Sequence, residues 1–429
     1  MIELSTIICL FLGIIAGMIT GMLPSMPMAL GMMLLFPFID SISVLDIFVY
    51  WTAIIIGAQF FGSVATISTG IPGETSALVY INDIKNLSVS DRARLISYTA
   101  TGSWLASVAA SLVCIAVFYM GSYGFLFWFN KIWVKAIIFT AALGFFLYLS
   151  QNRVATFLLI LMGLLLSPKN NYALPDIWYH LQMIFENTTF FVVAIGLLIV
   201  PELFQKYTHE ELSTRDTNLI SRGIPWFSAI KGSVIGALGG LIPGPSAVIS
   251  ASMAYASEKG PKERITSAES ANNSAMITSM FPLLVIGIPI TITEIIVVQM
   301  LESKAISWPD LHDFENLGRT LILVQFFAVL LATIYFFLST RFIDFYSQAL
   351  ILLRTRLKVI LLCLIILLAG IDFYYSDLTV LRYTLLLILF STIGMILSLK
   401  KIDPIPLLFA FVIGDRIVWT GLQIVSKFA

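Results

Sequence analysis

Glu74 is the residue of this sequence with the sharpest chemical meaning. It follows Gly70-Ile71-Pro72-Gly73, with Ser68 and Thr69 upstream and Thr75 and Ser76 downstream, inside a largely apolar region. An ionisable side chain in such a stretch is costly, and where it persists it takes a proton, holds a cation or meets a charged solute. Glu74 could take a proton or help hold Na⁺; it could equally cap a helix at an aqueous edge, and the sequence leaves both uses open. A second polar group, Ser270-Ala271-Asn272-Asn273-Ser274, leads into the apolar run Met276–Leu284. Hydroxyls, amides and free backbone N–H groups can hold carboxylate oxygens without a fixed countercharge. The two asparagines could form an N-cap pair, but two adjacent amides suit a ligand better. The candidate substrate-binding positions are Ser25, Thr69, Pro72, Gly73, Thr75, Ser76, Gly244, Ser246, Asn272, Asn273, Ser274 and Pro289, with Glu74 as the ion-coupling group.

Other chemistries find no foothold. His180, His209 and His312 lie in polar connections and form no HExxH pattern, and Cys9, Cys114 and Cys363 stand singly in apolar runs. The sequence therefore points to no metal centre, disulfide framework, cofactor or enzyme. There is no GxSxG or Walker loop, and hence no basis for ATP-driven pumping by this chain.

The elements that would position these groups are broken apolar helices. Gly17-Met-Ile-Thr-Gly21-Met-Leu-Pro24 returns as Gly236-Ala-Leu-Gly-Gly240-Leu-Ile-Pro243, and Gly70-Ile71-Pro72-Gly73 returns as Gly287-Ile288-Pro289-Ile290. Two matching motifs in the same order at nearly the same separation indicate a duplicated half. A single GxxxG would indicate only close helix packing. Proline removes an N–H from the helical ladder and glycine permits turns closed to other residues. In lipid such backbone survives only where protein buries it or water meets it. Four repeated breaks flanked by polar residues therefore point to a cavity, in the manner of transporters whose half-helix N-termini face an anion.

Composition sets this in a membrane. Of 429 residues, 59% are hydrophobic and 12% charged, about half the charged share of a soluble domain. Lys+Arg and Asp+Glu are both 25, which leaves no basic field for nucleic acid. The fold class expected is an all-α integral membrane protein. About ten to twelve membrane segments would form two repeated halves, with broken helices or re-entrant hairpins at the centre. An odd span count per half inverts the repeats and an even count leaves them parallel; inverted repeats are the expectation. The halves are assigned to residues 1–204 and 228–429, joined by a polar connection at 205–227 that holds Lys206, Glu210, Glu211, Arg215, Asp216 and Arg222. The runs 136–150 and 154–167 are short for full spans and read as tilted helices or a partial hairpin. With no Lys or Arg before its first apolar run, the N-terminus reads as a retained helix rather than a signal peptide. Asp415-Arg416 read as interface anchors, and most tryptophans as a belt at the membrane edge.

These motifs resemble the large membrane subunit of tripartite tricarboxylate transporters, the TctA family. The resemblance is carried by Gly17–Ser25, by Gly57–Ser63 through Ile71-Pro72-Gly73-Glu74-Thr75-Ser76, by Pro243-Gly244 with Tyr255 and Glu258-Lys259, and by Glu269-Ser-Ala-Asn272-Asn273-Ser274 before Ile286-Gly287-Ile288-Pro289. Ser25 and Ile290 stand where that family usually has glycine. The resemblance implies uptake of a tricarboxylate or related carboxylate across a bacterial inner membrane on a Na⁺ or H⁺ gradient. It also implies a small membrane subunit and a periplasmic solute-binding protein as partners. Two other readings remain open from the sequence: a passive channel, and a membrane enzyme acting on a lipid-linked substrate.

Overall fold

The structure is a computed structural model, and it describes residues 3–23, 28–70, 73–85, 87–120, 131–167, 185, 188–204, 220–241, 246–286, 289, 291–304, 314–342, 346 and 356–428. The elements among these residues are all helical: α1 (Leu4–Met22), α2 (Met28–Met33), α3 (Val44–Thr69), α4 (Ile81–Lys85), α5 (Val89–Met120), α6 (Ile132–Leu149), α7 (Arg153–Leu166), α8 (Phe190–Ala194), α9 (Trp226–Gly239), α10 (Ser246–Ala256), α11 (Pro261–Ile286), α12 (Ile292–Ser303), α13 (Phe314–Arg341), α14 (Leu357–Tyr375), α15 (Val380–Leu399) and α16 (Ile405–Phe428). Short 3₁₀ turns at Phe36–Ser41 and Thr75–Val79 flank α3. Among the described residues six helices are long and apolar enough to cross a membrane: α1, α3, α5, α13, α14 and α15. Shorter apolar helices lie at Trp133–Tyr148, Arg153–Leu166, Phe190–Phe204, Ala247–Ala256 and Ile405–Gly414.

The chain forms two compact units. The first comprises Met1–Met120, Lys206–Thr293 and Met300–Leu357, and so draws on both halves of the sequence; the second comprises Gly121–Gln205, Glu294–Gln299 and Lys358–Ala429.

Glycines set the packing of the first unit. α1 lies along α3 with Gly13, Gly17 and Gly21 in the seam. A Cβ on Gly17 would sit 2.7 Å from the Ala53 carbonyl oxygen, and one on Gly21 2.7 Å from that of Ala58. α9 lies along α11 in the same way. Gly232, Gly236 and Gly240 press against the backbone of Ser267, Ala271 and Ala275 too closely for any side chain. In each pair the contacts advance together along both helices, so the partners run parallel. Gly17 meets Ile54, and Gly236 meets Ala271; Gly21 meets Ala58, and Gly240 meets Ala275. The repeated glycine motif thus corresponds to a repeated helix-on-helix seam, of the close-approach kind that small residues allow in membranes.

The start and end of α3 are both specified locally. Ser43 caps it in a reciprocal box with Asp46, whose other oxygen accepts a 2.6 Å hydrogen bond from Thr6 on α1. Gly70 ends it in the left-handed conformation (φ 69°), its N–H bonded to the Thr66 carbonyl at 2.8 Å. The chain then turns back on itself, because the Gly73 N–H donates to Thr66 Oγ1 at 2.8 Å. A Cβ on Gly73 would lie 2.8 Å from Gly62, so only glycine lets this turn rest against α3.

α11 departs most from an ordinary membrane helix. It carries Thr266, Ser267, Glu269, Ser270, Asn272, Asn273, Ser274, Thr278 and Ser279, all buried. A helix buried all round is normally apolar all round. Buried polar side chains on this scale need partners, or something else to bind.

In the second unit, α14 and α15 expose Leu362, Ile366, Leu367, Leu381, Leu385 and Ile388. A row of exposed branched apolar residues is the surface a bilayer solvates. α8 continues through a π turn at Ile195–Ile199 and a 3₁₀ turn at Val200–Phe204. Its N-terminus is held by Asp372, which accepts hydrogen bonds from Thr189 Oγ1 at 2.6 Å and Tyr383 OH at 2.9 Å. This carboxylate is satisfied in place, and its role is to fasten three helices.

Candidate functional site

The turn after α3 brings Glu74 against α11. Asn272 Nδ2 donates to Glu74 Oε1 at 2.5 Å and also to Gln59 Oε1 on α3. One turn earlier on α11, Glu269 accepts a hydrogen bond from the Tyr80 hydroxyl. Ser63 of α3 faces both Glu269 and Tyr80, and its hydroxyl lies 3.4 Å from Thr99 Oγ1 on α5. α3 and α11 meet in opposite directions here: Gln59 stands by Asn272, and Ser63, further along α3, stands by the earlier Glu269. Asn273, on the neighbouring face, donates to Ser103 Oγ of α5 at 2.9 Å and to the Glu269 carbonyl of its own helix at 3.0 Å.

Several atoms of this cluster are buried with no hydrogen-bond partner: Asn272 Oδ1, Glu269 Oε2 and Ser76 Oγ. Each costs about 1–3 kcal/mol if left dry and unpaired. Such atoms at one crossing mark a place where water, an ion or a solute belongs. Among the described residues, no cationic side chain pairs with Glu74 or Glu269. Glu74 lies between the membrane-crossing helices rather than in one of them. Burial, and after it the charge of Glu269, hold its carboxyl well above the usual carboxylate range, although the polar groups of Ser76, Asn272 and Gln59 beside it pull the other way.

The sequence-predicted residues are distributed as follows. Glu74, Ser76, Asn272 and Asn273 come together at this crossing. Gly73 shapes the turn that delivers Glu74. Asn272 and Asn273 lie well inside α11 and cap nothing. The Thr69 hydroxyl donates to the Ala65 carbonyl of its own helix at 2.7 Å. Ser274 donates to the Ser233 carbonyl at 2.8 Å, pinning α9 to α11 on the side away from Glu74. Pro289 is described and buried, and Ser246 begins α10. Ser25, Pro72 and Gly244, and the side chains of Thr75 and Ser246, lie outside the described residues.

Gln59, Ser63, Tyr80 and Glu269 are site residues that the sequence reading did not single out. Gln59 had a signal, being the one amide in the apolar run 46–69. Glu269 entered the sequence reading only as the first residue of the Glu269–Ser274 motif that carries the family resemblance, with no role of its own. It lies in the third turn of a buried helix, three residues before Asn272 and on the same face. Among the described residues no group of three or more His, Cys, Asp or Glu is placed to hold a metal ion.

Comparison with known proteins agrees with this architecture. Residues 7–409 match the tripartite tricarboxylate transporter TctA family. An uncharacterized 52.8 kDa protein in the TAR-I ttuC' 3'region of Agrobacterium vitis is 28% identical over 310 residues, covering 66% of this chain and 61% of that protein. The chain therefore spans about 61% of the length of the curated relative it matches. No solved structure matches it. The chain belongs to the TctA family, a transporter family and not an enzyme family.

Proposed function

We propose that this chain is the large membrane subunit of a tripartite uptake system, moving a carboxylate metabolite across a bacterial inner membrane on a Na⁺ or H⁺ gradient. A small membrane subunit and a periplasmic solute-binding protein complete the system. The observation that carries this reading is the cluster of buried, unpartnered polar atoms where the Gly73-Glu74 turn meets Asn272 and Glu269. The Ser76 hydroxyl supplies a neutral donor, the amides of Asn272 and Asn273 would reach carboxylate oxygens by exchanging their present bonds to Gln59, Glu74, Ser103 and the Glu269 carbonyl, and Glu74 supplies the negative charge that attracts a coupling cation. The glycine–proline breaks at Ser25, Pro72, Gly244 and Pro289 would contribute backbone N–H groups at the same cavity.

The helix directions support the two-repeat reading. α1 parallel to α3, and α9 parallel to α11, make two equivalent pairs, and α3 runs opposite to α11 where they cross. Halves at 1–204 and 228–429 related by inversion would produce this arrangement, with the 205–227 connection between them. Uptake of radiolabelled mono-, di- and tricarboxylates into proteoliposomes, with the binding protein present and with and without an ion gradient, tests the proposal. Saturable, gradient-dependent uptake is expected; flux that neither saturates nor depends on a gradient would identify a passive channel.

A further inference from the structure

We infer that the segment from Ser76 to Asp83 is a gate over the crossing of α3 and α11, and that Asp83, held by Tyr255 and Arg264, is its latch. The inference deepens the transport reading and rests on it, because it names how access to the polar cluster is controlled.

The segment is a thin outer layer, made from the 3₁₀ turn Thr75–Val79 and the single turn of α4. Its inner side, with Ser76, Ala77, Tyr80 and Ile84, is buried, whereas Leu78 is 57% exposed and Asn82 is exposed. On the inner side Tyr80 donates to Glu269, and Ser63 of α3 faces them both. Lifting Tyr80 therefore uncovers Ser63 and Glu269.

Both ends of the segment are tied down. Before it, the Gly73 N–H donates to Thr66 Oγ1 on α3 at 2.8 Å. Beyond it, the Leu87 carbonyl accepts from Arg92 Nε and Nη2 on α5 at 3.0 and 2.8 Å. Between these ties the segment rests on α10 and α11. Asp83 Oδ2 accepts from the Tyr255 hydroxyl at 2.9 Å and lies 3.8 Å from Arg264 Nη1. The socket that receives it is built without it. The Arg264 guanidinium lies over the Tyr255 ring at 5.2 Å, and its Nε donates to the Glu258 carbonyl at 3.2 Å. Lys231 of α9 donates to the Ser257 carbonyl at 2.8 Å and lies 3.2 Å from a Glu258 carboxylate oxygen. The side chains of Asp83 and Arg264 are 22% and 35% exposed. An ion pair this open to water is weak, and parting it strands no buried charge. That is what a hold must be if it is to open and close in every transport cycle.

The test uses the purified full-length chain with Cys9, Cys114 and Cys363 replaced by alanine and with Ser63→Cys as the reporter, because Ser63 is 3% exposed and faces Tyr80. The rate at which a small hydrophilic methanethiosulfonate labels the reporter thiol is read. Asp83→Ala should raise that rate about fivefold or more, and Arg264→Gln should raise it by less, because each shifts the gate toward its open state. Arg94→Gln, at the start of α5 and bonded to the Ile220 carbonyl, should leave it unchanged. If Asp83→Ala does not fold, Arg264→Gln alone decides. In a second protein without the reporter, Asp83→Cys and Tyr255→Cys are joined by a short reducible bifunctional methanethiosulfonate. Joining them should stop carboxylate uptake into proteoliposomes, and reductant should restore it. Labelling unchanged in the folded variants, or uptake that persists in the joined protein, would overturn the gate. Faster labelling where the unaltered chain moves no carboxylate would leave the gate standing and remove the transport reading. Gradient-dependent uptake with labelling unchanged would do the reverse.

Discussion

Asn272 donates a 2.5 Å hydrogen bond to Glu74 across 198 residues of sequence. The bond joins the turn after the first half's long helix to the middle of the second half's polar helix. A hydrogen bond of this kind contributes roughly 0.5–1.5 kcal/mol when the carboxyl is protonated and about 1.5–3 kcal/mol when it is ionised. Its geometry depends on Gly73, which lets the turn lie against Gly62, and on the burial of Asn272 at 1% exposure.

Changes at and beside this cluster should be felt in transport before they are felt in folding. Glu74→Gln, Asn273→Ala and Pro72→Ala should each reduce uptake about tenfold or more, with the protein still present in the membrane fraction. Immunoblotting of membranes alongside initial uptake rates checks both halves of this expectation. Normal uptake in all three would remove the site assignment.

The glycine seams are expected to respond to added volume. Gly236→Val drives a branched side chain into the Ala271 backbone, and Gly21→Val does the same to Ala58, 2.7 Å from the carbonyl oxygen. Overpacking of this kind costs about 1–3 kcal/mol. Gly144, with nothing within 4 Å of an added Cβ, is the control. Thermal unfolding in detergent should show a lowered midpoint for the first two variants and an unchanged one for Gly144→Val.

The opposed directions of α3 and α11 predict a pattern of cross-links. With Cys9, Cys114 and Cys363 replaced by alanine, cysteines at Gln59 and Asn272 should be joined by a short bifunctional maleimide, and so should cysteines at Ser63 and Glu269. A Gln59–Glu269 pair that reacts faster than both would contradict the register. Gel mobility after an engineered protease cut between the helices reads the outcome.

Acid should compete with the coupling cation. Because burial and the charge of Glu269 raise the Glu74 carboxyl, a substantial protonated fraction is expected at pH values where a free glutamate is ionised. Lowering the pH should therefore raise the concentration of a coupling metal cation needed for half-maximal uptake. Glu74→Gln should flatten that dependence. A half-maximal concentration independent of pH in the unaltered protein would show that Glu74 does not take part.

How far the sequence could be read follows from where its signals are local. The duplicated GxxxGxxP element reads as a pair of helix breaks at a cavity; its described part, Gly17 and Gly236, stands in equivalent helix seams, and Pro24 and Pro243 lie outside the described residues. The apolar runs showed an all-helical membrane protein, and six helices meet the length and composition for a span. Glu74, Ser76 and Asn272 could be picked out because ionisable and amide groups beside apolar runs are conspicuous. Glu269 could not, because a charged residue at the end of a charged stretch looks solvated until the helix containing it is seen to be buried. Tyr80 and Ser63 are ordinary residues in sequence, and only the crossing of α3 and α11 gives them a role. Thr69 and Ser274 looked like ligand groups but bond to backbone carbonyls, the commoner use of a hydroxyl in a helix.

The most direct test of the central claim is initial-rate uptake of a carboxylate panel into proteoliposomes carrying the unaltered chain or Asn272→Ala, with the partner subunits supplied. The account predicts saturable uptake that requires an inward cation gradient and falls at least tenfold in the variant. Equal uptake by the two proteins, or flux that ignores the gradient, would contradict it.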